Sequence, residues 1–532
     1  MFQKNNGERT SLTDRLQFWR TTLTALLQKI SWDKVIRYFG YAFVAYLAFG
    51  VLITIRYLVS MTIYPGEVDY GEGVILHEIQ VLKSGGLLYP TTSDLPFVAA
   101  NYGPIYYLFA ELVTPIAQNS FLPFRLLSFL GLTVCFLAGC YVVYLGTRSR
   151  IFAILGGCAV LFPPSMLLYG INAKPDSIAL AMSLTGICFA LRAQYAKKGI
   201  EVAGVLFALA LCYKQSSLPA PIAVGIFLLW RDRRQLFRFA IAGFAAMTLI
   251  LGLWGLRFGF TGFIEHFVFY NVAIFDANRA FIVEPYRQFI GLLPFIITAI
   301  VVQIYARQPL LTIYCIVSFL FHIPAAGKAG AYIHYFSEPM LSLFLIVLYG
   351  CAAALNRPTT DASTLKKMVR LSLIIVVALI FKRYDPYAYK GRPDQNDIQR
   401  DATFMAALDT LVTSHGGKPR VIGGTTGHFP RLGDRVDLVI DDPFLYNQHI
   451  RNHKRSDETL LDELRKGKID IITLNFPANE ANKAKRQYLE RINPDQASAI
   501  DARYTLVGKY PGTPYTPEMY YIYIPRGTAY AR

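Results

Sequence analysis

The sequence predicts a mainly helical, polytopic membrane protein of about eleven transmembrane helices, followed by a soluble α/β domain at its C-terminal end. Three observations carry this. Of the 532 residues, 54% are hydrophobic and only 17% are charged, against about 25% charged in average soluble domains. The apolar residues collect in runs of the length a bilayer requires. After residue 382 these runs stop, and short apolar segments alternate with polar helical ones.

Residues 1–37 carry seven Lys or Arg against three acids. The positive-inside rule makes this segment cytoplasmic. It has no apolar core of the kind a signal peptide needs, so the first span, near 38–58, is expected to act as an uncleaved signal. A long loop, 59–120, then emerges on the opposite side. It holds three carboxylates in six positions (Glu67, Asp69 and Glu72) and an amphipathic stretch through Val74, Ile75, Leu76, Ile79, Val81 and Leu82. Such a stretch is expected to lie in the membrane surface. Further apolar runs follow near 121–147, 151–169, 176–194, 201–213, 217–230, 236–257, 286–305, 309–325, 337–355 and 368–382. Together, 38–382 form the membrane domain.

Alternate threading of these runs puts Arg148-Ser149-Arg150, Arg192 to Lys198, Arg231 to Arg238, Arg307, and Arg357 to Arg370 on the inside, and each is net basic. The alternation therefore agrees with the charge rule. The net charge of +17 is explained by these loops, so nucleic acid is not an expected partner. All seven Cys fall in apolar runs with no metal or disulfide spacing. Residues 383–532 read as an outer α/β domain, with strands at 420–423, 437–440, 470–474, 504–507 and 520–524 and helices at 399–413 and 457–466.

The same threading gathers on the outer face the polar groups that are not topology signals. Asp69 and Glu72 stand three apart on one helical face, a spacing that suits acid/base work; equally, the cluster suits solvated acids capping a helix N-terminus. In Asn172-Ala173-Lys174-Pro175-Asp176, Pro175 and Asp176 fit a helix start, but Lys174 is a cation at the wrong helix end and calls for an anion. Lys214-Gln215 interrupts an apolar hairpin. Lys328, His334, Tyr335 and Glu338 flank the start of a later span. Arg279 sits in the Phe-rich loop 258–285 and Arg287 just after it, and the loop's Phe263, Phe267, Phe269, Phe275 and Phe281 are expected to touch lipid. No P-loop, GxSxG elbow, HExxH or CxxC pair is present.

Five segments in order carry a resemblance: Asp69-Tyr-Gly-Glu-Gly73, Asn101-Tyr-Gly-Pro-Ile-Tyr106, Lys174-Pro-Asp-Ser-Ile-Ala-Leu-Ala181, Tyr213-Lys-Gln-Ser-Ser-Leu218, and Gly327-Lys-Ala-Gly-Ala-Tyr-Ile-His-Tyr-Phe-Ser-Glu338. Over roughly 38–355 the chain resembles bacterial membrane glycosyltransferases of the GT-C type, related to protein O-mannosyltransferases and lipid A aminoarabinose transferases. It departs at Gly103, where related chains usually have Pro, at Lys174, often Arg, and at His334, often Asn.

The resemblance implies an inverting transferase in a bacterial inner membrane. It would move a sugar from a polyprenyl-phosphate-linked donor to a glycan, lipid or protein hydroxyl on the outer face. The family's first-loop acid falls on Asp69, with Glu67 and Glu72 as rivals. Lys174, Lys214, Lys328, His334, Arg279 and Arg287 become candidates for the donor phosphate. Asn101, Tyr102, Asp176, Gln215, Tyr335 and Glu338 become candidates for substrate contacts. No cofactor is implied as necessary, although Asp69 and Glu72 could hold a divalent metal. The competing classes are a transporter of lipid-linked sugars, which would need mid-span charges and paired broken helices, and a membrane sensor.

Overall fold

The computed structural model describes residues 32–528, apart from 91–94, 162, 197, 271–273, 304–306, 332, 357–391, 453 and 517. The apolar run at 368–382 lies outside the described residues. Among those described, Leu122–Thr147, Asp176–Ala196, Arg233–Phe258 and Ile333–Ala353 are long and apolar enough to cross a membrane. A bent pair, Arg279–Gln288 and Ile290–Gln303, makes a fifth if it counts as one span.

The hydropathy runs implied about eleven, so the structure yields fewer full-length spans than expected. Short helices are the physical reason. Lys214 ends the helix Ile200–Tyr213, and Pro219 opens Pro219–Arg231. At 1.5 Å per residue a 14-residue helix covers about 21 Å, less than the ~30 Å of bilayer hydrocarbon.

The helix Arg233–Phe258 leaves Phe237, Ile241, Phe244, Leu249, Leu253 and Leu256 exposed along its length. An apolar surface of this kind needs lipid rather than water as its solvent. With the length of its spans, this defines a polytopic membrane protein. Its inner faces pack through Leu184, Ile187, Phe207, Leu341, Phe344 and Leu348, all essentially without solvent contact.

Residues 395–528 form a five-stranded mixed sheet with helices around it. Its strands are β1 (Arg420–Gly423), β2 (Asp437–Ile440), β3 (Ile471–Leu474), β4 (Tyr504–Pro511) and β5 (Met519–Pro525), in the order β2-β1-β3-β5-β4. β1 runs parallel to β2 and β3, whereas β5 runs antiparallel to β3 and β4. These are the five segments in which the sequence places strands.

The first long loop interlocks with this sheet. Phe97 makes a parallel bridge to Ile440 at the β2 edge, with its N–H on the Val439 carbonyl at 2.8 Å. The amphipathic stretch folds as the helix Glu72–Lys83, and its Val74, Ile75, Leu76, Ile79 and Leu82 are buried in protein. It does not lie on a membrane surface, because its polar side is taken up: Glu78 accepts from Tyr107 at 3.0 Å, and Gln80 donates to the Pro430 carbonyl at 2.7 Å. In the Phe-rich segment, Phe263 is buried, whereas Phe269, Phe275 and Phe281 are exposed.

Candidate active site

A cavity of about 720 Å³ opens between the membrane helices and the sheet region. Asp69, Tyr102, Lys174, Arg279 and His334 line it from one side, and Asp442 and Arg491 from the other. A smaller cavity of about 50 Å³ sits beside it, walled by Asp176, Lys214, His322, Tyr335 and Glu338. Tyr169 and His334 belong to both walls.

Asp69 and Lys174 form an ion pair, and both remain partly open to the large cavity, with side chains 24% and 17% exposed. Burial works to lower the Lys174 ammonium, but the charge and hydrogen bond of Asp69, together with Tyr102 and Asp176, outweigh it and raise the group above its usual range. Three side chains hold the backbone just before Lys174. Ser128 donates to the Asn172 carbonyl at 2.6 Å, Tyr106 to the Ala173 carbonyl at 3.1 Å, and the Ala173 N–H donates to Glu72 Oε1 at 2.7 Å.

Glu72 is wholly buried and does not line the cavity. Arg125 donates to both of its oxygens, from Nε at 2.9 Å and Nη2 at 2.6 Å, and the Val68 N–H adds a further bond at 2.8 Å. Burial works to raise this carboxyl, but Arg125 and the N–H donors hold it below its usual range. With its lone pairs committed in this way, Glu72 does not join Asp69 as a ligand pair. Among the described residues no group of three or more His, Cys, Asp or Glu is placed to hold a metal.

Glu67 lines the cavity from a buried position. It accepts from the Thr426 hydroxyl and from the Gly427 N–H at 3.1 Å, which binds the acidic loop to the turn after β1. Burial pushes its carboxyl up to about 7.

The expected phosphate contacts divide. Lys174, Arg279 and His334 line the large cavity. Arg279 is held on the Ala331 carbonyl and lies 3.5 Å from Glu284. Lys214 pairs with Asp176 and lines the smaller cavity, its ammonium 5.8 Å over the Tyr335 ring. Lys328 bridges Phe275 and lines neither cavity, although its neighbours Gly327 and Ala329 line the large one. Burial, with a contribution from the Lys214 charge, lowers Lys328 to about 8. Arg287 lines neither of these cavities: it is 66% exposed and 3.7 Å from Glu284, beside the bend of the helix pair.

The expected substrate contacts divide as well. Asn101 and Tyr102 line the large cavity. Gln215 serves the scaffold, donating to the Asn101 and Phe267 carbonyls at 2.9 and 2.8 Å. Glu338 accepts from Tyr314 at 2.8 Å and lies 3.8 Å from His322, beside the smaller cavity with Asp176 and Tyr335.

Four residues that the sequence did not single out also shape the site. Tyr70 donates to Asp442 at 2.7 Å and accepts from the Phe444 N–H at 3.0 Å, while the Arg491 guanidinium lies 4.1 Å over its ring. Burial pushes Asp442 up to about 6. Of these and Arg125, Tyr70 lies within the Asp69–Gly73 segment, and Arg125 carried a signal as a lone charge inside the apolar run 121–147.

A helical membrane body, an ordered first loop and an α/β region surround the large charged cavity. The chain is similar to ArnT from Cupriavidus metallidurans in the apo state, with a TM-score of 0.60 and 13% identity over 91% of this chain and 98% of that one. The same protein bound to undecaprenyl phosphate gives 0.58 and 12% over 90% and 98%. The archaeal oligosaccharyltransferase AglB from Archaeoglobus fulgidus, in complex with an inhibitory peptide and a dolichol-phosphate, gives 0.52 and 12% over 88% and 73%. No family model and no curated protein matches the sequence.

Proposed function

We propose that the chain is an inverting glycosyltransferase that moves a sugar from a polyprenyl-phosphate-linked donor to an acceptor hydroxyl. The observation that carries this is the Asp69–Lys174 pair on the wall of a large cavity bordered by apolar helices. The acceptor oxygen attacks the anomeric carbon as the bond to the phosphate oxygen breaks. Asp69 takes the hydroxyl proton, and the phosphate leaves with the bonding electrons. Lys174 and Arg279 stabilise the charge that grows there. In this reading Glu72 is a strut and Glu67 a tether, so Asp69 is the base among the three acids.

Undecaprenyl phosphate on ArnT and dolichol-phosphate on AglB support a polyprenyl-phosphate donor for a chain of the same fold. The acceptor class is a glycan, lipid or protein. In this reading the shorter apolar helices are membrane-embedded too, to make about eleven segments, and the cavity with residues 383–532 faces the outside of a bacterial inner membrane.

The test supplies radiolabelled undecaprenyl-phospho-pentoses and -hexoses to membrane vesicles containing the protein. Label should pass from one donor to a product that no longer carries the lipid, and Asp69→Asn should abolish this transfer. Label that crosses the bilayer while still on its lipid would instead identify a transporter of lipid-linked sugars.

A further inference from the structure

We propose that Lys174 is exchanged between Asp69 and the donor's phosphate, so that the arriving donor frees its own catalytic base. This rests on the transferase reading above. In the structure the Lys174 ammonium occupies Oδ2 of Asp69. A general base has to meet the acceptor hydroxyl at hydrogen-bond distance, and Oδ2 becomes available for this only when the pair opens.

The surroundings allow only part of the site to move. The backbone before Lys174 is held by Glu72, Tyr106 and Ser128, which leaves the four-carbon stem as the mobile element. That stem lies across Gly71, where an added Cβ would stand 3.4 Å from Lys174 Cε. Lysine suits an exchange because its charge is compact, on a flexible stem, and needs no fixed fork geometry. The contrast with Glu72–Arg125 is informative, since that pair has no solvent contact, whereas Asp69 and Lys174 both open on the cavity. Arg279 opens there as well but is held on the Ala331 carbonyl. A phosphate entering beside Arg279 would therefore draw Lys174 away from Asp69, and donor binding would precede that of the acceptor.

Linkage makes the idea measurable: if Asp69 and phosphate compete for one ammonium, removing the carboxylate strengthens phosphate binding. The probe is undecaprenyl phosphate, titrated against the full chain in lipid nanodiscs. Asp69→Asn is expected to bind it roughly tenfold more tightly than wild type, within the usual span of coupling between sites. In a Lys174→Met background the same substitution should change affinity less than about twofold, because the shared partner is gone. Unchanged or weaker binding by Asp69→Asn would overturn the proposal. So would an equal gain in the Lys174→Met background, since that is the effect of removing a negative charge from the cavity in general. Asp69→Ala replaces Asp69→Asn if the latter does not fold. A wild-type chain that fails to bind undecaprenyl phosphate saturably removes the donor class itself, a different failure from loss of the exchange alone.

Discussion

Arg125 and Glu72 form a bidentate ion pair with both side chains fully buried. Arg125 also donates to the carbonyls of Tyr64, of Met61 at 3.2 Å and of Gly66 at 2.7 Å. One side chain thus joins the end of the first helix, the acidic loop and, through Glu72, the segment bearing Lys174. Removing one partner of such a pair leaves an uncompensated buried charge, which costs about 3–5 kcal/mol. Arg125→Met is therefore expected to lower the thermal unfolding midpoint sharply in detergent or nanodiscs. Arg125→Met combined with Glu72→Gln should recover part of the loss, because no buried charge remains. An additive double variant would show that the pair is not coupled.

Glu67 makes stability depend on pH. Burial raises its carboxyl from 4.5 to about 7, so between those values the folded chain binds more protons than the unfolded one. The stabilisation is complete below pH 4.5 and is lost as pH rises through 7. At 1.36 kcal/mol per pKa unit the window spans roughly 3 kcal/mol. Asp442, raised from 3.8 to about 6 by burial, acts with the same sign over a lower window. Glu67→Gln should remove its own share, so that unfolding midpoints measured from pH 5 to 8 fall less steeply than in wild type.

Gly73 sits where the helix Glu72–Lys83 meets the turn after β1. A Cβ there would lie 1.8 Å from the Thr426 carbonyl oxygen and 2.6 Å from the Gly427 nitrogen. Both are backbone atoms, so relief requires the helix and the turn to separate, which also strains the Glu67–Thr426 bond. Gly73→Ala is expected to cost at least ~2 kcal/mol, in the range of overpacked cores. Gly225→Ala is the matched control: it lies in the helix Pro219–Arg231 with nothing within 4 Å of the added Cβ, and it should be neutral or slightly stabilising. Equal midpoints for the two variants would show that the contact is soft.

Much of this architecture was legible in the chain, and the boundary of legibility is physical. Long apolar runs expose helices, and short apolar segments between polar ones expose β1 to β5, because both are local patterns. Asp69, Lys174 and Arg279 could be brought together by threading alone, since charge placement reports which side of the membrane a loop occupies. Full-length spans among the described residues are fewer than the apolar runs, because runs such as 201–213 and 217–230 fold as helices too short to pass as full spans. The role of Glu72 was not readable: its partner Arg125 is 53 residues away, and no local pattern sets that register. Asp442 and Arg491 were missed for the same reason, because the docking of the sheet on the first loop is a matter of long-range packing.

Tyr70 offers a separate test of that docking. It follows Asp69 directly, and its hydroxyl both donates to Asp442 at 2.7 Å and accepts from the Phe444 N–H at 3.0 Å. Tyr70→Phe deletes both bonds and leaves a buried carboxylate oxygen and an N–H short of a partner, a loss of about 1–3 kcal/mol. Asp442→Asn is the milder change. Asp442 caps the helix Pro443–Arg451 by accepting from the Leu445 N–H at 3.0 Å, and asparagine caps helices about as well as aspartate. It also keeps an oxygen for the Tyr70 hydroxyl. Unfolding midpoints should therefore rank wild type and Asp442→Asn close together and Tyr70→Phe below both. Asp442→Asn should also lose the part of the pH slope between 3.8 and about 6 that belongs to Asp442. If Tyr70→Phe unfolds with wild type, the hydroxyl does not join the acidic loop to the sheet, and Asp69 must be held in place by Glu67 and its bonds to Thr426 and Gly427 instead.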